Sequence, residues 1–244
     1  VRMIDRNWKL GDLNHSRPAI TRYGEEETYI FVGSNDGMLH CFDDFDGSEK
    51  WAFVPKQQFS RLEQIYTGDH SYFMDGSPTI GTTSSDDKIL IIGERRGGNH
   101  YYAIDISSIS LPSYLYDVAT DGQSWMQPAF WTVATGENTF EEIFLITGGY
   151  DNRYDYDDSP ENPVGNAVIF IDAENGDEIL RFDDEDVAGM THSIVTAEAA
   201  DTIDDGMDIA NQIYAGDLGG NVFAFRDNYN PLSPGLDGVW QSMH

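Results

Sequence analysis

Residues 29–55 read YIFVGSNDGMLHCFDDFDGSEKWAFVP, and this stretch decides the fold. The β-branched and aromatic run Tyr29–Val32 predicts a strand. Asn35–Gly37 predicts a tight hairpin turn, because Asn, Asp and Gly accept a positive φ at low cost. Met38–Phe42 predicts a second strand that is covered on both faces, and after another turn Lys50–Phe53 predicts a third. The stretch is therefore a small antiparallel sheet.

The same unit recurs three times further along the chain. Each copy has a strand that ends in Gly, a turn rich in Gly or Asn, and a strand with an aromatic or isoleucine centre that ends in Asp. The copies begin at Lys88, Ile143 and Gln212. A separate short strand precedes every copy, and in three of four cases it carries Pro near its start, where a strand tolerates Pro. Each repeat therefore has four strands.

Four strands per repeat, at a period of roughly 50–60 residues, indicate a β-propeller. We predict an all-β, quinoprotein-like propeller of about four to five four-stranded blades. Its repeats lie at about residues 15–54, 75–118, 123–183 and 190–240. Residues 1–244 would form a single propeller domain or a fragment of a larger ring. The alternative is a β-sandwich in which the similarity between hairpins arises by chance.

Three segments interrupt the repeats. Residues 57–66 place Phe59, Leu62 and Ile65 at helical spacing, which predicts a short helical insertion. The polar segment 151–163 contains two prolines and no apolar period, which predicts either disorder or a surface flap. The Gly-rich turn of the second repeat is basic, and there we expect a paired Arg95 or Arg96, since basic residues are scarce in this chain.

Charge limits the partners that the chain can have. The sequence has 43 acidic and 14 basic residues, a formal net charge of −29 and a pI of about 4.1. Nucleic acid and anionic membrane surfaces would be repelled. The balance fits a saline or calcium-rich environment, or a cationic partner. No apolar run reaches the length of about 18 residues that a transmembrane helix needs.

The sequence offers little for catalysis. Neither a G-x-S-x-G nor an H-E-x-x-H motif occurs. Cys41 is the single cysteine, and its strand pattern predicts a buried apolar residue rather than a nucleophile. His15 and His192 occupy matching His-Ser positions in two repeats, which predicts a structural hydrogen-bonding role near the propeller axis. We therefore expect no catalytic residues, no organic cofactor and no enzyme activity.

The strongest candidate site is the acidic segment 201–212, which reads DTIDDGMDIANQ. Calcium prefers carboxylate and amide oxygens, and Gly206 would let the loop turn around the ion. Ile203 replaces a ligand of the usual alternating pattern, and Gln212 cannot supply a bidentate carboxylate. A solvated acidic hairpin is the alternative. The candidate ligands are Asp201, Asp204, Asp205, Asp208 and Asn211.

Six motifs also occur in the order known from one protein family. They are Leu10–Pro18 (LGDLNHSRP), Val32–Phe42 (VGSNDGMLHCF), Trp51–Pro55 (WAFVP), Phe73–Pro78 (FMDGSP), Tyr102–Asp105 (YAID) and Tyr214–Asn221 (YAGDLGGN). Together they resemble the C-terminal β-propeller of the PilC/PilY type IV pilus tip-associated proteins. The resemblance covers nearly the whole chain.

The resemblance implies an adhesion or biogenesis factor that is exported through the periplasm to the cell surface or pilus tip. It implies a calcium loop just before Tyr214 that regulates pilus extension, retraction and adhesion. The implied partners are pilin subunits or minor pilins at the pilus tip, a host or surface receptor, and the remaining blades of a longer chain. The N-terminus Val1–Asp5 has no signal-peptide core, so we interpret the chain as a mature or excised piece.

Two other functional classes share this type of propeller. A quinone-dependent dehydrogenase needs a vicinal cysteine pair or a stacking tryptophan over its cofactor, and Cys41 is single. An outer-membrane assembly scaffold would lack the His15–Pro18 and Tyr214–Leu218 motifs. We therefore place both alternatives behind the pilus-associated interaction module.

Overall fold

The structure, a computed structural model, describes residues 10–66, 70–136, 139–202, 209–229 and 236–243. The chain divides into two compact units, Val1–Val118 and Ala119–His244. The described residues form four sheets, and each sheet corresponds to one predicted repeat. The helices among them are short 3-10 turns. The all-β prediction is therefore confirmed.

The first sheet of the first unit is antiparallel, in the order β1-β2-β3-β4. Its strands are β1 (Ala19–Arg22), β2 (Thr28–Ser34), β3 (Met38–Asp43) and β4 (Glu49–Phe53). Ser34 pairs with Met38 across the predicted turn, and Gly37 has a φ of 90° there. A residue with a Cβ would be strained at that φ, which explains why the turn ends in Gly.

The second sheet has the order β5-β6-β7-β8. Its strands are β5 (Thr79–Thr82), β6 (Lys88–Gly93), β7 (His100–Asp105) and β8 (Ser113–Ala119). The predicted helical insertion between the two sheets consists of two 3-10 turns, Lys56–Gln58 and Leu62–Tyr66. A third 3-10 turn, Arg95–Gly97, joins β6 to β7.

The second unit holds the other two sheets. One contains β9 (Ala129–Gly136), β10 (Thr139–Thr147), β11 (Val168–Asp172) and β12 (Glu178–Phe182), with a 3-10 turn at Asn152–Asp155. The other contains β13 (Ile194–Ala200), β15 (Gln212–Asp217), β16 (Val222–Tyr229) and β17 (Leu236–Met243). The intervening strand β14 (Ile209–Ala210) pairs in parallel with β9 and makes that sheet five-stranded.

Each unit has its own apolar core. In the first, Phe31, Leu39, Leu90 and Tyr102 pack between the two sheets and are at most 1% exposed. Cys41 belongs to this core, and burial raises the pKa of its thiol to about 12. It is therefore a small buried residue, as predicted, and not an activated nucleophile. In the second unit the corresponding core contains Leu145, Phe170, Ile213 and Phe225.

Two glycines of the first unit allow the backbone to approach closely. A Cβ placed on Gly33, near the end of β2, would lie 2.3 Å from the carbonyl oxygen of Met74. One on Gly76, in the loop before β5, would lie 2.1 Å from the carbonyl oxygen of Gly93 at the end of β6. Both distances are far below van der Waals contact, so glycine is a packing requirement at these two positions.

Candidate functional site

The predicted calcium segment connects β13 to β15 in the second unit and contains β14. Ala200, at the end of β13, pairs with Gln212, at the start of β15, so the two ends of the segment are adjacent. Of the five candidate ligands, Asp201 and Asn211 are described. Asp204, Asp205 and Asp208 lie outside the described residues, and their role as ligands stays a prediction.

Asn211 joins the two ends of this segment. Its side chain is buried, and its Oδ1 accepts hydrogen bonds from the backbone N–H and the hydroxyl of Thr202, at 3.2 and 2.8 Å. Its backbone N–H donates to the carbonyl of Ala200 at 3.0 Å. Among the described residues, Nδ2 of Asn211 has no hydrogen-bond partner. Asn211 therefore hydrogen-bonds to the residues at the beginning of the segment through both its side chain and its backbone.

A buried carboxylate lies behind this amide. Asp227 on β16 is 0% exposed, and its backbone N–H donates to the carbonyl of Asn211 at 3.0 Å. Asp227 pairs with Trp240 on β17, whose indole N–H donates to the carbonyl of Ala134 at 3.1 Å. The backbone of Asp227 therefore holds Asn211, at the end of the candidate segment, against β16. The sequence did not single out Asp227, because Asp ends most of these strands.

The other side of the segment is fixed by strand pairing. Ile209 and Ala210 pair with Thr132 and Val133 of β9, and both are buried. This pairing fixes the residues that follow the undescribed part of the acidic segment. Among the described residues, no group of three or more His, Cys, Asp or Glu side chains is placed to hold a metal ion. Carboxylates on a short loop are nevertheless the type of donor set that calcium takes.

The two His-Ser pairs have the structural role that their positions predicted. In the first unit, Nδ1 of His15 donates to Asp75 at 2.7 Å, and the Ser16 hydroxyl accepts from the N–H of Gly33 at 2.9 Å. In the second unit, Nδ1 of His192 is hydrogen-bonded to the Tyr154 hydroxyl at 2.8 Å. The matching Ser193 hydroxyl accepts from a backbone N–H at 3.2 Å. These pairs connect loops to strand ends.

The expected paired arginine is also present. Nη1 of Arg95 lies 3.6 Å from the carboxylate of Asp75, which also accepts from His15. Asp75 is buried while His15 is exposed. A buried carboxylate between two cationic or potentially cationic groups fits a structural ion-pair network.

The polar segment 151–163 is a surface loop closed by an ion pair, which agrees with the surface-flap alternative of the prediction. Nε of Arg153 donates to Oδ1 of Asp151 at 3.1 Å, and Nη2 also donates to the carbonyl of Asn162 at 2.9 Å. The carboxylate of Asp151 accepts from the N–H of Val164 at 3.0 Å. Hydrogen bonds from Arg153 lower the pKa of Asp151 to about 2. The Asp-x-Arg spacing at residues 151–153 could have indicated this ion pair from the sequence, because the chain has few basic residues.

The sequence analysis also missed a buried histidine that lies between two acids. His40 on β3 is fully buried; its Nε2 is 3.1 Å from Asp36, and its Nδ1 is 2.7 Å from Glu49. Each ring nitrogen faces a carboxylate oxygen, so the protonated imidazolium can donate to both. Because Asp36 belongs to the hairpin turn, this contact ties the turn to the sheet. Its role is structural.

Comparison with known proteins places these features in context. No protein-family model matches the chain. It is 28% identical to the type IV pilus biogenesis factor PilY1 of Pseudomonas aeruginosa strain UCBPP-PA14, over 93% of this chain and 22% of that protein. It is also 28% identical to a PilY1 homolog of Xylella fastidiosa, over 81% of this chain and 14% of that protein. The chain thus spans about a fifth of the length of the P. aeruginosa protein and a smaller share of the X. fastidiosa protein.

A solved structure gives the same answer for the fold. The crystal structure of the C-terminal domain of P. aeruginosa PilY1 superposes with a TM-score of 0.64 at 24% identity, over 89% of this chain and 44% of that one. The β-propeller fold is therefore confirmed, and the sequence resemblance is confirmed by the relatives. The chain is thus similar in sequence to the type IV pilus biogenesis factors named PilY1, and its fold matches that of the C-terminal domain of one of them.

Proposed function

We propose that the chain is a non-catalytic interaction module of a type IV pilus biogenesis and adhesion factor. The observation that carries this proposal is the similarity to PilY1 over 93% of the chain, together with the shared fold. Its partners would be pilin or minor pilin subunits, a host or surface receptor, and the remaining blades of a longer chain. Its location would be the cell surface or the pilus tip.

The distribution of polar groups supports an interaction module. His15, His40, His192 and Cys41 are the side chains that a catalytic reading would first consider. The three histidines are hydrogen-bonded within the fold, and Cys41 is buried in the apolar core with a raised pKa. The exposed loops instead carry carboxylates. A surface of this type suits a cationic partner or a cation.

None of the helices among the described residues has the length and apolar character required to cross a membrane.

Calcium would regulate the module through residues 201–211. The described stems support this part of the proposal, because the Thr202–Asn211 contacts and the β14–β9 pairing hold the loop ends in place. A preorganised loop binds a cation with less ordering cost than a free one. Asp201, Asp204, Asp205, Asp208 and Asn211 would supply the oxygens. The ion would order the loop that a partner contacts.

The pilus function is tested in the native host by deleting the segment that encodes residues 1–244 from its gene. We expect fewer surface pili and reduced twitching motility, measured by shearing and immunoblotting of pilin and by subsurface motility assays. A matched control carries Glu25→Gln, an exposed residue on the turn between β1 and β2, and should behave as wild type. Normal piliation and motility in the deletion strain, with the truncated protein still exported, would exclude the proposed function.

A further inference from the structure

The first unit contains an open cleft of about 640 Å³ between the first sheet and the segment after β7. The first sheet and its β1–β2 turn contribute three aromatic rings to the lining, Tyr23, Tyr29 and Trp51. The segment after β7, here called the serine wall, contributes Ser107, Ser108 and Ser110 together with Ile109 and Pro112. The volume lies within the range of about 300–1,000 Å³ that is typical of small-ligand sites. None of its lining residues belongs to the candidate calcium segment.

The rings of the cleft are held in position by hydrogen bonds to backbone. The hydroxyl of Tyr23 donates to the carbonyl of Ile106, and the indole N–H of Trp51 donates to the carbonyl of Ile109 at 3.0 Å. Tyr23 and Tyr29 contact each other edge to face, with their centroids 5.6 Å apart. Because the polar atoms of Tyr23 and Trp51 are already engaged, what these rings offer a ligand is their apolar surface. That surface is preorganised.

The serine wall provides hydrogen-bonding groups close to the rings. Ser107 accepts from the N–H of Lys88 at 2.9 Å and is thereby fixed. Ser108 and Ser110 are exposed, and their hydroxyl oxygens lie 3.2 Å apart. Each hydroxyl can both donate and accept, so the pair can exchange its mutual contact for bonds to a ligand hydroxyl.

The charges at the cleft favour an uncharged ligand. Lys50 is the cation of the lining, and its ammonium lies 2.8 Å from the carboxylate of Asp43 and 6.0 Å from the centre of the Tyr29 ring. Glu27 adds a carboxylate on the same rim. The charge of Lys50 is thus already compensated, and a second ammonium, that of Lys88, lies 5.8 Å from the centre of the Tyr23 ring. With a formal charge of −29 on the chain, an anionic ligand would also be repelled over a longer range.

We propose that this cleft binds a neutral oligosaccharide. A pyranose ring has an apolar C–H face, which packs on an aromatic ring, and a rim of hydroxyls, which bond to serine hydroxyls and backbone carbonyls. Rings on one wall and hydroxyls on the other match those two surfaces. This inference goes beyond the proposed pilus function and does not depend on it, because the candidate calcium loop belongs to the second unit and binding here needs no metal.

The test uses the 244-residue chain in EDTA, with maltotriose, cellotriose, mannotriose and lactose as neutral probes and trigalacturonic acid as the charged comparison. Isothermal titration and saturation-transfer NMR should detect at least one neutral saccharide with a Kd of about 1 mM or tighter. The charged saccharide should bind at least about tenfold more weakly. Ligand binding should also change the fluorescence of Trp51.

Three variants assign binding to the cleft. Ser110→Trp, at an exposed position, should fill the cleft and abolish saccharide binding. Tyr29→Ala should raise the Kd about tenfold, because it removes one of the aromatic rings. Phe45→Ala removes a 93% exposed aromatic of the same unit outside the cleft and should leave the Kd unchanged. Circular dichroism verifies that each variant is folded. Any of three results would overturn the proposal. They are that none of the neutral saccharides binds at about 10 mM, that folded Ser110→Trp binds as wild type does, or that the charged saccharide binds more tightly than the neutral ones.

Discussion

Arg153 donates to the carboxylate of Asp151 through two nitrogens, with Nε 3.1 Å from Oδ1 and Nη2 2.5 Å from Oδ2. The carboxylate is 3% exposed. The backbone N–H of Asp151 donates to the hydroxyl of Ser193, which in turn donates to the carbonyl of Val164 at 2.6 Å. One acidic residue therefore connects both ends of the 151–163 loop to the start of β13. The loop depends on this residue more than on its other acids.

Asp151→Asn should destabilise the protein by about 1–3 kcal/mol, because the amide cannot accept from Arg153 and Val164 as a carboxylate does. The free energy of unfolding from urea titration measures the loss. Asp158→Asn is the matched control, since Asp158 is an exposed acid of the same loop. It should change the stability by less than about 0.5 kcal/mol. Equal effects of the two substitutions would contradict the role given to Asp151.

The same ion pair predicts a pH dependence. The pKa of Asp151 is lowered to about 2 by its hydrogen bonds with Arg153, against about 3.9 in an unfolded chain. The folded state therefore binds the proton less tightly, so the contribution is complete above pH of about 4 and is lost as the pH falls towards 2. The stability difference between wild type and Asp151→Asn should shrink over that interval. A difference that stays constant from pH 5 to pH 2 would refute it.

Local features of the fold could be predicted from the sequence because they depend on neighbouring residues. Asn35–Gly37 requires only the backbone preferences of three residues, and Gly37 has the expected positive φ. The apolar pattern around Cys41 likewise reports burial on both faces of one strand. The same holds for the His-Ser positions, since they recur at a fixed place in the repeat.

The features that could not be predicted are contacts between residues that are far apart in the sequence and that no repeat pattern connects. Trp240 donates to the carbonyl of Ala134, 106 residues away, and β14 leaves its own repeat to pair with β9. The contacts of Asp227 and Asn211 are of the same kind. For the candidate calcium site, composition could suggest the donor atoms, but only tertiary structure could reveal the buried amide at its base.

Gly76→Ala should be strongly destabilising. The new Cβ would lie 2.1 Å from the carbonyl oxygen of Gly93, which is a backbone atom at the end of β6. We expect a loss of at least about 3 kcal/mol, at the severe end of single substitutions. Gly24→Ala is the control, because a Cβ there meets nothing within 4 Å. Thermal unfolding compares the two, and a Tm of Gly76→Ala equal to that of Gly24→Ala would show that the close approach is relieved easily.

Calcium should raise the Tm of the chain through the segment 201–211. A ligand that binds only the folded state at ten times its Kd adds about 1.4 kcal/mol, which corresponds to a rise of roughly 3–6 °C for a protein of this size. Asp205→Ala should diminish the rise, whereas Asp44→Ala, in the acidic turn after β3, should not. Differential scanning fluorimetry at millimolar CaCl2 gives the measurement.

Charge screening must be separated from specific binding in that measurement. A chain with a net charge of −29 repels itself, so any added cation stabilises it to some degree. Magnesium at equal ionic strength supplies the same screening, but it prefers rigid octahedral sites and sheds its water reluctantly. The calcium rise should therefore exceed the magnesium rise in wild type, and the two should become equal in Asp205→Ala. Equal rises in wild type would assign the whole effect to screening and remove calcium from the function of this loop.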